Sequence, residues 1–120
     1  MTQSLQFSAV NSYDLAAQIS SGQTTSQEID LSGNTLCGFF FPSAFTGASL
    51  TIMATTVSGG TYQTVEVDEF GSGDYTITVT ANKFVPVTNL AIIAGLRFIK
   101  LVSASSEAAN RTIQLVVRPV

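Results

Sequence analysis

The sequence contains no histidine, no tryptophan and a single cysteine. Without imidazole, the Ser-His-Asp and Cys-His catalytic sets and His-based metal sites are absent. With one thiol there is no internal disulfide. Cys37, in "TLCGFFF", then reads as a small buried apolar residue, because nothing is present to activate it as a nucleophile. Charge is scarce too: five Lys and Arg and eight Asp and Glu make up 11% of 120 residues, against roughly 25% in an average soluble domain. The five cations, Lys83, Arg97, Lys100, Arg111 and Arg118, are scattered along the C-terminal third, and the net charge is −3, so no basic stripe is available for nucleic acid. No apolar run approaches the roughly 18 residues of a membrane span. The opening "MTQSLQFSAVNSYDL" lacks the basic start, apolar block and cleavage site of a signal peptide, so the chain is expected to be made and used without export and "NRT" at Asn110 to carry no glycan.

What is there is apolar and neutral-polar. Hydrophobic residues account for 45%, and Ser and Thr together number 29. A surface polar without charge repels its copies weakly and costs little to desolvate, which suits an assembled protein. One domain of ordinary size fits the length. Residues 1–23 mix Ser, Gln and Asn with isolated apolar residues in no sustained period and read as an N-terminal arm. "SYDLAAQI" is a candidate helical turn within it, and "SSGQTTS" a link. From residue 24 to 120 the period is two. "TTSQEIDL" aligns Ile29 with Leu31, "ASLTIMAT" aligns Leu50, Ile52 and Ala54, "TYQTVEVD" aligns Val65 and Val67, and "DYTITVT" aligns Tyr75, Ile77 and Val79. "RFIKLVS" and "RTIQLVVR" set Ile99, Leu101, Ile113, Leu115 and Val117 inward and leave Lys100, Gln114 and Arg118 on the opposite faces. Turns at "SGN", "SGG" and "GSG" separate these runs at the spacing of a β-sandwich, giving an all-β domain of about eight strands. One short helical turn is expected at "TNLAIIAGL", capped by Thr88 or Asn89 and ended by Gly95.

Few residues are left to carry chemistry. "VEVDEFGSGD" places Glu66, Asp68 and Asp74 near one strand–turn–strand junction. A Ca²⁺ site or carboxylate pair competes there with a solvated hairpin end, and the missing EF-hand spacing favours the hairpin. No catalytic residue, cofactor or metal is therefore expected, and the chain is not read as an enzyme. In "GFFFP", Phe40 must face opposite to Phe39 and Phe41. Its ring is covered either within the monomer, by the arm for instance, or by a neighbouring subunit. Tyr62 and Phe70 form a thin aromatic platform for a glycan.

The run from residue 31 to 119 carries "PSAFTGASLTIMATTVSGGTYQTVEV", "GDYTITV", "GLRFIKLVS" and "RTIQLVVRP" in order. It resembles small virion proteins of tailed bacteriophages and prophages, in which a "GGTYxxV" strand, a "GxxYTV" hairpin, "GLRYIRL" and a closing "RxIxLVxRP" recur. Phe98 and Lys100 stand where Tyr and Arg are common, and Val57 replaces a polar residue. The resemblance implies a β-sandwich of jelly-roll type and an accessory structural role. The favoured role is a capsid cement or decoration protein on the virion surface, present in the host cytoplasm during assembly. A tail or head–tail component, or a carbohydrate-binding module on the virion, is the alternative. The implied partners are the major capsid protein and further copies of this chain, with a homotrimer by analogy. Neither nucleic acid nor membrane is among them. The expected contacts are the arm's Leu5, Phe7, Tyr13 and Leu15, together with Phe40, Lys100, Gln114 and Arg118.

Overall fold

A computed structural model describes residues 15–119. Nine strands follow one another in this part of the chain: β1 (Ala16–Ile19), β2 (Ile29–Asp30), β3 (Asn34–Phe40), β4 (Ser49–Thr55), β5 (Gln63–Thr64), β6 (Thr76–Thr78), β7 (Phe84–Pro86), β8 (Phe98–Ser103) and β9 (Arg111–Pro119). They form two antiparallel sheets, ordered β1-β9-β3-β7 and β2-β8-β4-β5, with β6 pairing further along β4. The domain is thus all-β.

The period-two rows are what brings the sheets together. Ala17, Ile19, Leu36, Phe39, Ile113, Leu115 and Val117 from the first sheet meet Ile29, Leu50, Ile52, Ile77, Ile99 and Leu101 from the second in one buried cluster. Burying each large aliphatic side chain contributes about 1.5–3 kcal/mol. Of the core expected from the sequence, Ile52, Ile77, Ile99, Leu101, Ile113 and Leu115 are buried, whereas Val65 and Val79 are only partly covered. β5 is cut short because the following residues lift away as a hairpin: Val67 N–H donates to Gly73 C=O at 2.8 Å, and Val67 ends 37% exposed.

Three expectations change. "SYDLAAQI" makes no helical turn in its described part. Ala16–Ile19 is an edge strand of the first sheet, with Ala17 opposite Ile113 and both Ala17 and Ile19 buried. Residues 16–19 therefore belong to the folded domain and not to an arm that precedes it. Cross-strand pairing with β9 outweighs the helix propensity of Ala-Ala-Gln. The helical turn at "TNLAIIAGL" is a single 3-10 turn, Leu90–Ile92, and Asn89 makes no side-chain cap there. Cys37 is half-buried, because it sits at a register shift between Leu36 and Gly38 where β3 bulges against β9. Among the described residues no helix is long and apolar enough to cross a membrane.

Candidate interaction surfaces

Strand pairing decides which outward side chains are neighbours. On β3, Phe40 lies opposite Phe84 of β7 on one side and opposite Gln114 of β9 on the other, and Gln114 lies opposite Ala16 of β1. The residues Phe84, Phe40, Gln114 and Ala16 thus form one row across the outer face of the first sheet. The Phe40 and Phe84 rings stack at 4.8 Å between centroids, tilted by 46°. They remain 51% and 42% exposed. Gly38 makes room for this pair: a Cβ there would clash with Phe84 Cζ and come within 2.9 Å of the Val85 carbonyl oxygen. The aromatic ring covers the gap in the strand left by the glycine, a known cross-strand device.

The other expected contacts divide between surfaces. Leu5, Phe7 and Tyr13 lie outside the described residues. Leu15 is half-buried, and its carbonyl accepts from Leu115 N–H at 2.9 Å and from Gln114 Nε2 at 3.3 Å. Arg118 is exposed on β9, opposite Thr35 of β3. Lys100 stands apart from Gln114 and Arg118, on the outer side of the second sheet, with Nζ 4.5 Å from the Tyr62 ring centroid. The three cannot form one polar row, because the loop at 104–110 carries the chain from one sheet to the other instead of closing a hairpin.

The acidic hairpin is knit internally. Glu66 and Asp74 face each other in an antiparallel bridge. The Asp68 carboxylate accepts from the Phe70 and Ser72 amides at 2.9 and 3.3 Å, and the Ser72 side chain first, then the Phe70 amide, hold it below the usual carboxylate range. Among the described residues, no group of three or more acidic, His or Cys side chains converges on a metal-sized space. Phe70, at the turn, is 82% exposed. The Tyr62 hydroxyl is instead bonded to Glu28, and Lys100 covers its ring. Burial first, and then the Glu28 carboxylate, push that phenol's pKa well up.

Two carboxylate hubs had no signature in the sequence. Glu28 accepts from Ser58 Oγ, Gly59 N–H and Tyr62 OH, and so ties the "SGG" turn to the segment before β2. Glu107 is only 1% exposed. Its carboxylate takes the Thr46 amide (3.1 Å), the Thr46 hydroxyl (3.0 Å), the Gly47 amide (3.0 Å) and Arg111 Nε (3.0 Å). Its backbone joins the turn after β1 through Gly22 N–H and Gln23 C=O. A lone Glu in "ASSEAAN" looks like a solvated loop residue, and only long-range pairing gives it this place. A shallow groove of about 420 Å³ beside Thr55, Thr61, Gln63 and Arg97 completes the surface, with Arg97 held by Asp30 at 3.0 Å. No protein-family model, curated protein or solved structure matches the chain.

Proposed function

We propose that this chain is a structural component of a tailed-phage particle, a decoration or cement protein that lies on the outer surface of the major capsid lattice. The observation that carries the reading is the Phe40–Phe84 pair, a stacked and half-exposed aromatic patch on the open face of a sheet with little charge near it. Large aromatic side chains left on an open face are typical anchors of protein–protein contact. The virion-protein motifs in the sequence support the same reading. So does the order of the strands: β1-β9-β3-β7 over β2-β8-β4-β5 is the alternation between sheets expected of a jelly roll.

In this reading the first sheet faces the lattice, and each copy gains avidity by touching more than one capsid protein at once. Copies of the chain meet in the particle, as a trimer by analogy. The test is to locate the protein on purified particles and then to titrate recombinant protein back onto particles stripped of it. Saturable rebinding to the capsid shell is expected. Recovery of the protein only on tails would move it to the head–tail or tail class, and its absence from particles would end the proposal.

A further inference from the structure

The two outer strands of the first sheet are protected in different ways. On β7, pairing with β3 turns the Phe84 and Pro86 backbone groups outward, since Phe39 lies opposite Val85 and Val87 N–H donates to Cys37 C=O. Pro86 has no N–H to offer, and Lys83 stands beside the strand, so this edge is blunted by familiar means. β1 reads Ala-Ala-Gln-Ile, with neither charge nor proline. Its Ala17 and Ile19 backbone groups point to β9, which leaves the N–H and C=O groups of Ala16 and Gln18 facing outward.

Among the described residues, one side chain meets them. Gln27 Oε1 accepts from the Gln18 N–H at 2.9 Å, and Gln27 Nε2 donates to the Ala16 C=O at 3.1 Å. A residue of a strand running parallel to β1 would bring its own N–H and C=O to these same two groups. The Gln27 carboxamide therefore stands in for a neighbouring strand. It projects from the segment that crosses to the second sheet, where Ser26 N–H donates to Leu101 C=O at 2.9 Å, so its backbone is fixed and the amide is aimed at the edge.

We propose that Gln27 is an edge guard, and that the β1 edge it closes is a latent pairing site for a second copy of this chain. Two β1 strands can pair antiparallel about a two-fold axis at Ala17, with Ala16 opposite Gln18 of the partner subunit. The outward groups of these residues then complete each other, as an isologous contact requires. The half-buried Ala16 adds little bulk beside the edge, and the absence of charge on β1 removes the usual repulsion. The guard keeps copies from joining edge to edge and leaves the aromatic face as the surface for assembly. The inference stands whether or not the protein decorates a capsid.

The test uses the full chain in three forms: wild type, Gln27→Ala, and Gln27→Ala combined with Gln18→Pro, which deletes the outward N–H. Gln27 is exposed and outside the core, so the single variant keeps the fold. Sedimentation velocity across a concentration series should show Gln27→Ala associating at least tenfold more strongly than wild type, with the double variant returned to wild-type behaviour. Hydrogen exchange at the Gln18 amide should be slow in wild type, faster in dilute Gln27→Ala, and slow again when that variant is concentrated. Unchanged association and unchanged Gln18 exchange in Gln27→Ala would overturn the proposal. Association that persists in the double variant would also overturn it, by placing the contact on another surface.

Discussion

Glu107 shows how much of this fold hangs on single polar side chains. Burial raises its carboxyl, but Arg111 and the Thr46 and Gly47 donors outweigh that, so its pKa lies below the ordinary 4.5. A carboxylate whose folded value is depressed stabilises the fold fully above its unfolded value, and the contribution fades as pH falls through the folded value. Thermal unfolding of the wild type should therefore weaken from about pH 5 downward, more steeply than that of Glu107→Gln, whose amide keeps an acceptor but does not titrate. Parallel curves for the two proteins would remove Glu107 from the acid response. Glu107→Ala leaves the Arg111 cation and two amides without their partner, and about 3 kcal/mol of stability should be lost in a denaturant titration. Gly38 is critical for a steric reason. Gly38→Ala should drive the Phe84 ring off its seat and cost about 1–3 kcal/mol, visible as loss of the Phe40–Phe84 ring contact by NMR and a lower urea midpoint.

At the scale of elements, the rows built on strict alternation were legible. Ile99 and Leu101, then Ile113, Leu115 and Val117, point inward because one face of each sheet must be buried. The flip of Phe40 relative to Phe39 and Phe41 follows from the same rule. Legibility failed where a segment's state depends on a distant partner. β1 has four residues and a helix-favouring composition, and only β9 makes it a strand. Lys100 seemed to share a surface with Gln114 and Arg118, because local alternation gives inward and outward but not which sheet a strand joins. Apart from Arg111 beside Glu107, the side-chain partners of Glu28, Glu107 and Gln27 lie from 9 to 61 residues away, which no local pattern encodes. Two N-terminal deletions separate the contribution of β1 from that of the residues before it. The deletion of residues 2–14 leaves β1 in place and serves as the reference. Deleting 2–20 strips the buried Ala17 and Ile19 along with a whole edge strand, and should cost at least the roughly 2–5 kcal/mol of one large core truncation. Equal midpoints for the two deletions would mean that β1 contributes little to the folded domain.

Taken whole, the molecule presents two outer faces of different character, and they separate the readings of its function. One face carries Phe40 and Phe84 with Gln114 and Ala16; the other carries Lys100 over Tyr62, anchored by Glu28. On the proposed capsid reading, a lattice contact through the first face would take in both aromatic rings, and truncation of such an anchor typically weakens binding by about 2 kcal/mol or more. A glycan contact would instead depend on Phe70, the exposed ring at the hairpin tip. Rebinding to stripped particles should therefore weaken by about 30-fold or more, the equivalent of 2 kcal/mol, in the Phe40→Ser and Phe84→Ser variants. Each ring is about half buried and packs on the other, so each variant should also lose about 0.5–1.5 kcal/mol of stability, and binding is compared where all the variants remain folded. Lys100→Ser, on the far face, should bind as wild type does, and Phe70→Ser likewise. Binding that survived both aromatic replacements but fell with Lys100→Ser would turn the molecule over on the lattice. Binding lost only with Phe70→Ser, and competed by soluble glycan, would replace capsid decoration with carbohydrate recognition.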